Sequence, residues 1–278
     1  MDTFTILLML LAGLMHATWH SLVKGSTDQR INLAGMGLVA AVPCVFVLPF
    51  LQLPSGGVWI VLAASTILHV IYKVFVSAAY RIGDFGEAFP LARGFVPLVA
   101  ALVAFIALDQ MPRPFQVFGI LLICAGLVLI ATSRLRHALG GPLLAASFGA
   151  GLMVAGYAVL DSFGAKLSGD WASFTAWLVV FDSAIYLLVV RATLGPTTWR
   201  KLAAMRWRAL ISGALGLVSF SIFLWALSRN PVGLVSALRE TSILFAILIA
   251  AMRHSEPLTV SRLTAGGLII GGIVVIAM

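Results

Sequence analysis

The chain has 278 residues, 61% of them hydrophobic and only 10% charged, with a formal net charge of +8 and a mean hydropathy of +1.08. A water-soluble domain carries about 25% charged residues, so this composition excludes an aqueous globular fold and makes the bilayer the chain's solvent. The basic residues are scattered over short loops, which argues against a nucleic-acid surface, and little length is left for a separate ATPase, receptor or catalytic module.

A hydrocarbon core of about 30 Å is crossed by roughly 20 apolar residues in a helix. Ten such segments fit, at about 4–22, 31–52, 58–79, 85–107, 115–133, 142–161, 172–190, 209–227, 231–251 and 262–277. The expected fold class is an all-α polytopic membrane protein with ten transmembrane helices. The first segment begins Met-Asp-Thr with no basic lead and reads as a helix, not a removed signal peptide. His16, Trp19 and His20 share one of its faces, with Lys24 one turn further. The two histidines have no cysteine or acid beside them on that helix. Cavity lining or a proton-linked role suits them better than metal ligation, and no metal or other cofactor is expected. Cys44 and Cys124 sit mid-segment among apolar neighbours and read as packing residues.

The third segment carries His69, Tyr72, Lys73 and Tyr80 on one stripe, with Lys73 too deep to reach an interface. In the fourth, Pro90 and Pro97 flank Arg93 and invite a kink, with Glu87 just ahead of them. Tyr157 and Asp161 lie one turn apart at the end of the sixth segment, where water and headgroups reach. Asp182 is near the centre of the seventh. Acids at such depth are candidates for proton coupling. The ninth segment holds Arg239 and Glu240, and the tenth contains Gly266-Gly-Leu-Ile-Ile-Gly-Gly272, a small-residue pattern expected to pack inside the bundle.

Leu91-Ala-Arg93-Gly is echoed 146 residues later by Ala237-Leu-Arg239-Glu. The order of features around both points to a duplicated five-helix unit, 1–137 and 138–278. Five is odd, so the second unit crosses the membrane upside down relative to the first. Inverted repeats are a recurrent transporter architecture, with the binding site near the midplane. Arg93 and Arg239 each lie eight residues into their segments, about 12 Å deep, and approach from opposite faces. An unpaired arginine there costs at least ~2.5–3.5 kcal/mol. Either each pairs with a nearby acid, Glu87 or Glu240, or the two flank a carboxylate, phosphate or phosphonate, which a guanidinium grips with two parallel hydrogen bonds.

Loops after the odd-numbered segments hold Lys24, Arg30, Arg81, Arg134, Arg136, Arg191, Arg200, Lys201, Arg206, Arg208, Arg253 and Arg262, against Arg113, Lys166 and Arg229 on the other side. Lysine and arginine accumulate on the cytoplasmic side, so both termini are expected outside the cytoplasm.

His16-Ala-Thr-Trp-His-Ser-Leu-Val-Lys24, Ala79-Tyr-Arg-Ile-Gly-Asp84, Pro90-Leu-Ala-Arg-Gly94, Tyr157-Ala-Val-Leu-Asp161 and Leu238-Arg-Glu-Thr-Ser242 carry a likeness over essentially the whole chain. In these stretches it resembles the drug/metabolite transporter superfamily, in its ten-helix EamA-type branch. The resemblance implies a secondary transporter, not an enzyme, that moves a small metabolite across the cell membrane by alternating access, commonly outward. Similar proteins are usually drawn with cytoplasmic termini, opposite to the charge count, and some are associated with phosphonate metabolism. The expected substrate is a small anionic or zwitterionic metabolite: an amino acid, an organic acid or a phosphonate-like compound. Arg93, Arg239, Trp19, His69, Tyr72, Lys73, Tyr80 and Tyr157 are the expected substrate contacts. Glu87, Glu240, Asp182, Asp161, His16 and His20 are the expected charge-balancing or proton-coupling groups. The alternative is a flippase for a phospholipid or polyprenyl-phosphate lipid. The expected partners are the small molecule and the bilayer, with no nucleic acid, and the chain acts as a monomer or a homodimer.

Overall fold

Long apolar runs in a bilayer satisfy their backbone groups by forming helices. Every regular element among the described residues is helical. The computed structural model describes residues 1–93, 96–133, 140–253 and 259–277. In chain order these form α1 (Thr3–Lys24), α2 (Gln29–Val47), α3 (Gly56–Ile82), α4 (Phe85–Leu91), α5 (Val96–Leu108), α6 (Pro114–Ser133), α7 (Gly141–Leu167), α8 (Trp171–Leu194), α9 (Thr198–Ala204), α10 (Arg206–Arg229), α11 (Val232–Arg239), α12 (Ser242–Arg253) and α13 (Val260–Ala277). Eight spans are long and apolar enough to cross a membrane, and the shorter apolar helices α6 and α13 complete ten crossings. The proposed 137/138 repeat boundary, Arg134 and Arg136 lie outside the described residues. The short α9 was not anticipated; it sits in the loop after the seventh crossing.

Three expectations are corrected. The fourth crossing is not one kinked helix but two, α4 and α5, separated around Arg93. The ninth is likewise two, α11 and α12, separated at Glu240-Thr241, although no proline lies there. Both breaks tighten into i→i−3 hydrogen bonds. Arg93 N–H donates to the Pro90 carbonyl and Val96 N–H to that of Arg93, each at 3.1 Å; Thr241 N–H reaches Leu238 at 3.1 Å and Ile243 N–H reaches Glu240 at 3.0 Å. A 3₁₀ stretch in mid-helix is a common sign of a hinge or of local strain. In α11–α12 the run Glu-Thr-Ser supplies side chains that favour such local turns over a continuous helix. The third correction is at α7, which runs on to Leu167, six residues past Asp161. The polar sequence there resembles a helix end, but Asp161 is fully buried against α3.

The packing obeys a pseudo-twofold. The first helix of each repeat packs on the third of the other, α1 on α10 and α7 on α3. The second helix packs on the third (α2 on α10, α8 on α3), and the first on the far half of the broken span (α1 on α12, α7 on α5). The near half of each broken span meets the far half of the other, α11 with α5 and α4 with α12. On the pseudo-axis itself α2 meets α8 and α6 meets α13. Helix caps repeat too: Asp28 Oδ1 accepts the Arg30 N–H at 3.1 Å ahead of α2, and Asp170 Oδ1 the Ala172 N–H at 3.0 Å ahead of α8. Glycine allows the α6–α13 approach. A Cβ at Gly272 would stand 2.5 Å from the Gly119 carbonyl oxygen, and one at Gly119 2.7 Å from that of Gly272. The expected small-residue packing therefore lies within the bundle.

Candidate functional site

The two breaks bring Arg93 and Arg239 to one imidazole. Arg93 is buried, and its Nη1 donates to Glu240 Oε1 at 3.1 Å while its Nη2 bonds His16 Nε2. The acid beside Arg239 in sequence thus neutralises the arginine of the other repeat. Among the described residues Arg239 has no such partner. Its Nη2 lies 3.5 Å from His16 Nδ1, its guanidinium carbon stands 3.9 Å from the Phe223 ring centroid, and its Nε and Nη1 have no hydrogen-bond partner among the described residues. A neutral imidazole has one acceptor nitrogen, and arginine only donates. Once His16 Nε2 accepts from Arg93, its Nδ1 carries a hydrogen that faces Arg239. Among the described residues, Arg239 is therefore a buried cation held by a ring face and lacking an acceptor.

A cavity lies between α1, α2, α3, α7, α8, α10 and α11. Of the sequence-predicted contacts, Arg239, Trp19, His69, Tyr72, Lys73 and Tyr157 line it, as do His16 and Asp182. Lys73 Nζ pairs with Asp182 Oδ2 and sits 5.2 Å above the Tyr186 ring, while Asp182 Oδ1 has no hydrogen-bond partner among the described residues. His69 stacks on Tyr157 with centroids 3.9 Å apart, and its Nε2 lies 3.0 Å from Asp161 Oδ2; Ser65 holds the other oxygen of that carboxylate. The remaining walls are apolar or small, including Met36, Gly37, Leu178 and Phe220.

Two expected substrate contacts are placed elsewhere. Arg93 is spent on Glu240 and His16 and does not line the cavity. Tyr80 lies behind it, its hydroxyl 2.7 Å from His20 Nδ1, with Tyr72 OH 3.1 Å from His20 Nε2. His20 is thereby satisfied on both nitrogens and stacks under Trp19 at 3.5 Å. It orients the lining without joining it. The Glu87 side chain lies outside the described residues. Ser65 and Phe223 were not singled out from the sequence. Ser65 is one turn before His69 on the same face of α3, a spacing that could have found it; Phe223 carries no polar signal to separate it from ordinary core.

Beyond this geometry, the sequence profile of the EamA-like transporter family matches residues 3–132 and again 141–278. The chain belongs to the EamA-like transporter family. Its match falls in two successive stretches, as the pseudo-twofold requires. One solved structure, described only as "Crystal structure of protein", superposes on this EamA-like transporter with a TM-score of 0.72 over 99% of this chain and 96% of that one. Sequence identity is 18%, so the likeness is one of fold. No curated protein matches the chain in sequence. This EamA-like transporter is thus a multi-pass membrane carrier of small molecules built as two inverted repeats.

Proposed function

We propose that the protein is a secondary-active transporter that carries a small anionic or zwitterionic metabolite across the cell membrane by alternating access. Arg239 is the observation that carries this reading. It is a buried cation at the wall of a cavity, with two donor nitrogens unpaired among the described residues, while the neighbouring Arg93 is already neutralised. An acidic group from the substrate is the partner that such a guanidinium lacks, and charge-assisted hydrogen bonds are the strong ones. The unpaired Asp182 Oδ1 is an acceptor on the same cavity, which suits the ammonium group of a zwitterion. The two broken helices supply hinges at the site, as in other inverted-repeat carriers. We place the basic side, with the α1–α2 and α8–α10 connections, in the cytoplasm on the loop charges.

The test is a thermal-shift and proteoliposome-uptake panel of amino acids, organic acids and phosphonates on the wild type and on Arg239→Gln. Two charge-assisted hydrogen bonds are worth about 3–6 kcal/mol. Arg239→Gln is expected to weaken binding of the best acidic substrate at least ~100-fold, with Arg239→Lys intermediate. Unchanged affinity in Arg239→Gln would contradict the reading. Transfer of labelled phospholipid between leaflets, with no response to soluble compounds, would favour the flippase instead.

A further inference from the structure

Among the described residues three carboxylates are buried inside the bundle: Asp161, Asp182 and Glu240. Two of them have a permanent cation. Asp182 pairs with Lys73, and Glu240 with Arg93. Asp161 has none. Its two oxygens meet the Ser65 hydroxyl and the His69 ring, and the imidazole is its only basic contact among the described residues. An isolated carboxylate in a low-dielectric interior is costly, and among the described residues the one positive charge in contact to offset it is one that can leave.

We propose that the His69–Asp161 couple is the coupling-ion site of this transporter and holds one proton that crosses with the substrate in the same direction. The inference rests on the transport reading above but assigns a different site. The Nε2–H of His69 donates to Asp161 Oδ2, which fixes that nitrogen, so the exchangeable proton comes and goes at Nδ1. His69 lines the cavity and Asp161 does not, so the imidazole is the route between the cavity and the carboxylate. Stacking on Tyr157 from α7 and an edge contact with Phe220 from α10, centroids 5.3 Å apart, hold the ring in place. Tyr72 and Lys73 from α3, Asp182 from α8, Arg239 from α11 and His16 from α1 line the same cavity. Lys73 and Asp182 cancel each other. The field at the substrate position is therefore set by Arg239 and by whether the couple is loaded.

Loaded, the couple is neutral as a unit; unloaded, it carries one negative charge beside the place where an anion binds. Like charges sharing a poorly solvated cavity oppose each other. The anion is bound best when the proton is present, and the two are released together. The bond also joins α3 of the first repeat to α7 of the second, so loading acts across the packing between repeats.

The full chain in proteoliposomes tests this with labelled alanine, glutamate, succinate and methylphosphonate as probes. Exchange at symmetric pH reports transport itself; accumulation under an imposed pH gradient reports the proton. One coupled proton gives up to about tenfold accumulation per pH unit when the label starts on the acidic side. In Asp161→Asn that accumulation is lost while exchange at symmetric pH is still detected. His69→Gln, which keeps the Ser65–Asp161 contact, also loses the gradient response and serves if the first variant does not fold. Wild-type exchange with no gradient response overturns the proton site and leaves the transport reading standing. Accumulation driven from the alkaline side, or full gradient response in Asp161→Asn, also overturns it. Absence of wild-type exchange with every probe removes both.

Discussion

Arg93 and Arg239 look alike in the sequence and do different work in the structure. The carboxylate of Glu240 is one residue from Arg239 along the chain, yet it reaches across to Arg93, and His16 bonds Arg93 through Nε2. Arg93 is a positioning residue that closes a neutral network; Arg239 is left with donors to offer. The two arginines should therefore fail differently. Removing one partner of a buried ion pair costs about 3–5 kcal/mol because the other charge is stranded. Arg93→Gln is expected to lower stability by about that amount, read by thermal unfolding in detergent, and Arg93→Gln/Glu240→Gln should recover most of the loss. A double variant no more stable than Arg93→Gln alone would show that Glu240 is not the charge Arg93 balances. Sequence spacing could place both guanidinium groups at one depth. It could not choose the partner of Glu240, because that choice is made by contacts 147 residues apart.

At the scale of the helix, periodicity and hydropathy were enough to locate all ten crossings, because a bilayer imposes length and apolarity on each one. What they missed are the places where a helix stops obeying that rule. Prolines announced trouble in the fourth crossing, but the ninth breaks on a Glu-Thr-Ser run that carries no such warning. Burial of Asp161 was hidden for the opposite reason: polar residues near Lys166 resemble a terminus, while within the bundle α3 supplies partners for Asp161, and the Leu227 and Asn230 carbonyls accept from Ser162 and Lys166. The glycines of α13 were legible as packing residues, and the structure says which one matters. Gly272 meets the Gly119 carbonyl of α6, whereas Gly267 and Gly271 face open space. Gly272→Ala is expected to cost about 1–3 kcal/mol through overpacking, with Gly271→Ala near neutral. Equal unfolding temperatures for the two variants would argue against this crossing.

For the whole molecule, the pseudo-twofold is the organising fact. The main packings between repeats come in matched pairs or lie on the axis, and the broken helices of both repeats converge on His16. The breaks are matched between the repeats, while the unmatched residues give the site its polarity: Arg93 is neutral in its network and Arg239 is not. The symmetry also means that the fold itself does not select which face points inward; the loop charges do. A reporter fused after Met278 is expected to be active outside the cytoplasm and silent within it, and cytoplasmic activity would reverse the assignment. We propose that Arg239 lacks an acceptor among the described residues because the substrate provides one. A structure of the transporter with its best-binding acidic compound tests this most directly. The expected result is an acidic oxygen within about 3 Å of an Arg239 guanidinium nitrogen, with the Arg93–Glu240 pair intact. A compound bound away from Arg239, or one held by Arg93 with Glu240 displaced, would contradict it.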